Sequence, residues 1–325
     1  MRYPYYILYS LLILSSCQVQ ERLSPDSVVE AAYPEEETST PDDWIKRELT
    51  TPYGIEVRYK WSREAEVEGR YLYPPSPDKV LSILKAMKYL WIDTYAIAKP
   101  GSSPFLKGKA PLRITLYGGS NVDVNGIELP SDPTKAGIEM SLYDVNTFDP
   151  TDRNHLLQLM RNVYHQSTTR LLDIIPYDRE GFMSHSLKEY NPDTYDQQDY
   201  LMRLTKPERY KIHPAALKRG FLSFYAVLSP EEDFAEMVSI NLTHTPVEIT
   251  EAIQRSAIPD SDSDPIIHQR NMDQARRAHA ALTAKQAYVE EYFRSKLGIS
   301  LKSMQLLSLT RLNTYRDQSR TSEQP

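Results

Sequence analysis

DPTDRNHLLQLMRNVYHQSTTRLLDII, residues 149–175, sets the frame for the rest of the chain. Leu156, Leu159, Met160, Val163, Leu171 and Ile174 recur at three- and four-residue intervals, the spacing of a long helix with one buried face. Asp149 is placed to cap its start, Pro150 fits its first turn and Pro176 stops it. His165 stands near the middle, followed by Gln166 and, one turn on, by Thr169. Residues four apart share a helix face, so His165 and position 169 project the same way.

Upstream the pattern is mixed. Trp44 to Leu49 reads as a short helix capped by Asp42 or Asp43, and Ile55, Val57, Tyr59 and Trp61 alternate as a half-buried strand. Pro77 to about Ala98 carries a broad apolar stripe suited to lying against a sheet, and 112–117 and 137–143 are further strand candidates. Residues 44–147 therefore form a mixed α/β N-terminal lobe. Downstream, 148–325 reads as a mainly helical C-terminal lobe, which makes the fold class α+β. Tyr177 to Lys211 is a long polar surface segment with short helical pieces. Helices follow at 230–237, at about 267–297 closed by Gly298, and at 301–312. Asp260, Asp262 and Asp264 alternate like the opening of a calcium loop. Pro265 stands where that loop needs glycine and no glutamate occupies its twelfth place, so the run is a solvated linker.

The first 43 residues carry an address. Arg2 and an apolar run to Leu14 are too short to span a bilayer permanently and suit an export signal, residues 1–17. Leu14-Ser15-Ser16-Cys17 looks like a bacterial lipobox, with the thiol of Cys17, the single cysteine, as the lipid attachment point. Gln18 follows, without the aspartate that by resemblance to bacterial lipoproteins retains them at the inner membrane, so the expected location is the bacterial outer membrane. Residues 18–43 are acidic and proline-punctuated, a disordered tether. The net charge of −6 spreads over both halves with no basic stripe, which excludes a nucleic-acid partner held through phosphates. The 23 tyrosines could stack on sugars or grip peptides, although packed tyrosines with wet hydroxyls are the plainer reading.

In an HExxH helix two imidazoles four residues apart converge on one zinc, and the glutamate beside the first polarises the metal-bound water. Here that helix offers His165, Gln166 and Thr169. The helix around His165, Gly220-Phe221-Leu222-Ser223-Phe224-Tyr225-Ala226 and Glu232-Asp233-Phe234-Ala235-Glu236-Met237 together resemble the zinc-binding metallopeptidase lipoproteins found beside TonB-dependent nutrient importers. Tyr53 to Trp61 and Leu142 to Asn146 fit the same family, so the likeness covers the chain from about residue 44 onward.

The resemblance implies a zincin-like metallopeptidase fold with its cleft between the lobes. It makes His165 the first zinc ligand, Glu232 the third, and Tyr225 a donor to a developing oxyanion. Glu236 would support a ligand from behind or serve as an alternative ligand. Gln166 replaces the general base and Thr169 the second histidine. An amide cannot carry a proton away, and a threonine hydroxyl is a poor zinc ligand. Losing a positioned base removes about two to four orders of magnitude of rate. The expectation is an inactive or zinc-free site with a retained cleft for a peptide or glycan, serving an importer and its binding lipoprotein. The alternative is an active zinc-dependent hydrolase completed by His185, His213 or Asp173. A plainer alternative makes His165 a satisfied polar residue hydrogen-bonded to Glu232. A third function is a structural subunit, with helix 267–297 as partner surface.

Overall fold

Three short strands, β1 (Glu56–Arg58), β2 (Arg113–Leu116) and β3 (Glu139–Leu142), lie parallel in that order in the computed structural model, which describes residues 40–61, 72–101, 103–121, 137–191 and 211–322. The register pairs Val57 with Ile114 and Ile114 with Met140. That phase turns Ile114, Leu116, Met140 and Leu142 into the core, where each is essentially inaccessible. The opposite parity is polar. Arg113 bridges Glu56 at 2.9 Å and Glu139 at 3.7 Å, and Thr115 donates to Glu139 at 2.6 Å. Of the expected strand 55–61, only Glu56 to Arg58 pair.

Nine helices are described. α1 (Pro41–Ile45) runs through a π-helical stretch, Lys46–Thr50, to Tyr53. Its cap is Thr40, which forms a capping box with Asp43, so this helix starts inside the expected 18–43 tether. α2 (Pro77–Met87) continues through Lys88–Ile92 to Ala98 as the apolar stripe requires. α3 (Arg153–Ile174) is the long helix of the opening motif. Its cap is Asp152, not Asp149: the Asp149 carboxylate is taken by the amide and hydroxyl of Thr151 at 2.7 and 2.8 Å, forming a separate turn that delays the helix by three residues.

α4 (Arg179–Ser184), α5 (Pro214–Leu217), α6 (Pro230–Asn241), α7 (Pro246–Ser256), α8 (Pro265–Tyr292, extended by π-helical Phe293–Leu297) and α9 (Leu301–Ser322) complete the list. α6 and α9 run further than their sequence signals. Asp264 caps α8 through the amides of Ile266 and Ile267, so the acidic run 260–264 ends as a helix cap. The larger hydrophobic core runs from Trp44 to Leu312, through sheet and helices alike, Ala216, Phe221, Ala226 and Val227 form a smaller cluster, and Thr40–Pro325 forms one compact unit. No helix among the described residues is long and apolar enough to cross a membrane. Cys17, the export signal and residues 18–39 lie outside the described residues.

Candidate functional site

α3 packs along α6, and each contributes polar side chains one turn apart to the shared seam. Arg161 and His165 come from α3, Glu232 and Glu236 from α6. Ser229 caps α6 by accepting from the Glu232 amide at 3.1 Å, which fixes the first turn carrying Glu232. His165 Nε2 lies 2.8 Å from Glu232 Oε2, and its Nδ1 lies 2.9 Å from Glu236 Oε1. The other oxygen of Glu236 accepts from Arg161 Nη2 at 2.7 Å and from the Ser223 hydroxyl. Arg161 also donates to Ser239. The side chains of Arg161 and Glu236 are 4% and 6% exposed, so this pair works in a desolvated setting.

The loop 220–226 delivers Ser223 and Tyr225. Gly220 has a φ of +83° and sits where a β-carbon would come within 3.1 Å of Ala281, so the approach of this loop to α8 requires glycine. The Tyr225 ring stands edge-on to the His165 imidazole, with centroids 5.4 Å apart at 89°.

Summed charge explains how the cluster is tolerated. A buried charge needs a partner, and here Arg161 and a protonated His165 balance Glu232 and Glu236. Burial alone would lower the His165 pKa. The negative charge of Glu232 and the hydrogen bonds to Glu232 and Glu236 outweigh it and push the pKa up to about 9. For Glu236, burial works in the raising direction, yet Arg161 and His165 hold its carboxyl well below the usual range.

Gln166, next to His165, faces the sheet. Its Oε1 accepts from the Ser141 amide at 2.9 Å and its Nε2 donates to the Ser141 carbonyl at 3.0 Å. Asn162, one turn earlier on α3, also donates to that carbonyl at 3.2 Å and accepts from Gln166 Nε2. Thr169 turns its hydroxyl back onto its own helix, donating to the Gln166 carbonyl at 2.8 Å.

A protein zinc site takes at least three protein donors. Two candidate donors meet each other directly, His165 Nε2 and Glu232 Oε2, 2.8 Å apart. The third position fails, because Thr169 is folded back and Glu236 is saturated by Arg161, Ser223 and His165. His185, His213 and Asp173 do not supply it. His213 accepts from the Ala215 amide at 3.2 Å, Asp173 is exposed beside Gly137, and no group of three His, Cys, Asp or Glu among the described residues could hold a metal. Among the described residues, the side chains therefore do not complete a zinc site.

The other face of α6 holds a second buried pair. Lys285 of α8 donates to Asp233 at 2.8 Å, both side chains fully inaccessible, and its Nζ lies 4.1 Å over the Phe221 ring. Tyr190 donates to the same Asp233 oxygen at 2.8 Å.

The structure brings His165, Glu232, Glu236 and Tyr225 together, with Gln166 turned to the sheet and Thr169 folded back on its helix. Arg161, Ser223 and Ser239 escaped sequence reading. Arg161 precedes His165 by four residues and Glu236 follows Glu232 by four, and that matching spacing was the available signal.

Against known proteins, residues 34–302 match the model of a family described as "Putative zinc-binding metallo-peptidase". A crystal structure of a protein described in the same words, from Bacteroides caccae ATCC 43185 at 2.10 Å resolution, superimposes with a TM-score of 0.59 and 20% identity. The alignment covers 88% of this chain and 96% of that one, a likeness of fold. No curated protein matches the chain significantly.

Proposed function

Since the chain belongs to that zinc-binding metallo-peptidase family, we propose that it is a degenerate, zincin-like member in which side-chain charges stand in for the metal and the remaining cleft binds a ligand without hydrolysing it. The observation that carries this reading is the closed cluster Arg161, Glu236, His165 and Glu232. It is charge-neutral with a protonated imidazole, whereas metal binding would require that proton to leave. Hydrolysis also lacks its base, because the Gln166 amide is not basic enough to accept a proton and is committed to Ser141. His165, Gln166, Tyr225 and Glu232 each keep part of their surface exposed, which supports a cleft within reach of a peptide or glycan.

The lipobox ending at Cys17 supports export and anchoring at the bacterial outer membrane, and the resemblance noted above supports service beside a TonB-dependent importer and its binding lipoprotein. The test is restoration. Gln166→Glu combined with Thr169→His should create tight zinc binding through His165, Glu232 and the new imidazole. A doubly restored, folded protein that still binds no zinc rejects the zincin reading of this cleft. Chelator-sensitive peptide cleavage by the native chain rejects the loss of hydrolysis.

A further inference from the structure

Among the described residues β3 is the outer strand of the sheet, and its edge is closed at Ser141 by a side chain acting as main chain. Ile138 and Leu142 turn their carbonyls toward β2, where they accept from Leu112 at 2.9 Å and Tyr117 at 2.8 Å. Backbone groups alternate along a strand, so the amide and carbonyl of Ser141 face away from β2. An outward amide and carbonyl on an edge strand are a template for an added strand. In this chain they meet Gln166. Its carboxamide presents one acceptor and one donor to Ser141, the same pair a strand residue would present. The second lone pair of the Ser141 carbonyl is taken by Asn162. The main-chain hydrogen-bonding positions of that residue are therefore filled from α3.

We propose that Gln166 is a built-in edge lock: its carboxamide occupies the place of an added strand at Ser141, so extended polypeptide cannot pair with β3 and the cleft selects ligands held through side chains. A glutamate at the same position could accept from the Ser141 amide but would set a second oxygen against the Ser141 carbonyl, so the lock requires an amide. The lock goes beyond the loss of zinc and hydrolysis and does not depend on either.

The test is amide hydrogen exchange of the full chain, followed at Ser141, with an acetylated and amidated hexapeptide of alternating Thr and Val as the probe. In the native chain the Ser141 amide should exchange slowly and remain unchanged at all peptide concentrations. In Gln166→Met, which keeps the side-chain volume and removes both hydrogen bonds, it should exchange at least tenfold faster, and the peptide should restore its protection. Asn162→Ala, which spares the Gln166 pair, should leave the Ser141 amide slow. Unchanged exchange in Gln166→Met overturns the lock, as does a variant whose Ser141 the peptide does not protect. Should Gln166→Met not fold, the native chain decides: a peptide-dependent change at its Ser141 overturns the proposal. Zinc content enters none of these readouts, so a failure here is separable from a failure of the degenerate-site reading.

Discussion

Restoring the missing base alone should damage the protein. In Gln166→Glu the donated hydrogen bonds to the Ser141 carbonyl, 3.0 Å, and to Asn162 are lost, and an oxygen replaces the nitrogen at both contacts. Each lost bond is worth about 0.5–1.5 kcal/mol, and confronting two acceptors adds a desolvation penalty of about 1–3 kcal/mol. The new carboxylate also adds a negative charge beside a cluster that is already balanced. The sum is a destabilisation of about 2–6 kcal/mol, read as a lower urea midpoint at neutral pH with an unchanged slope. A loss below about 0.5 kcal/mol would refute the role given to the Gln166 amide. Adding Thr169→His and zinc should offset most of this loss, because a ligand present at about a thousand times its Kd contributes about 4 kcal/mol to the folded state.

Arg161→Met should cost about 3–5 kcal/mol in the same assay, because it strands the buried Glu236 carboxylate beside His165 and Ser223. A double-mutant cycle with Glu236→Gln should show strong coupling. Lys285→Met should cost a similar amount by leaving Asp233 in a fully inaccessible site, and adding Asp233→Leu should recover most of it. A single variant as stable as the native chain in either case contradicts the ion-pair accounts. Stability should also fall in alkali. His165 is raised from 6.5 to about 9 in the folded chain, so its contribution, about 3 kcal/mol, is complete below pH 6.5 and is lost as pH rises through 9. His165→Gln should remove that alkaline slope, which unfolding measured across this range would detect.

The helical half of the fold was legible because its signals are local. The stripe from Leu156 to Leu171 is a periodicity within one segment, and Pro77 and Pro230 announce their helices by position. The sheet was harder, since a strand of three residues such as Glu56 to Arg58 has almost no period of its own and exists through its register with β2. The start of α3 was misread because Asp149, Thr151 and Asp152 all have capping chemistry, and which one captures which amide depends on the turn they make together. At the site, the departures at 166 and 169 could be read directly. What those residues do instead could not. Gln166 meets Ser141 from 25 residues away and Arg161 meets Glu236 from 75 away, contacts that only the packed α3, α6 and β3 create.

The central claim is that charge pairing has replaced the metal at His165. It is tested most directly by purifying the native chain, equilibrating it with zinc against a competing chelator and measuring bound metal per chain. The account predicts far less than one zinc per chain, with no gain in thermal stability when zinc is added. One zinc per chain, retained against the chelator and lost in His165→Ala, would contradict it.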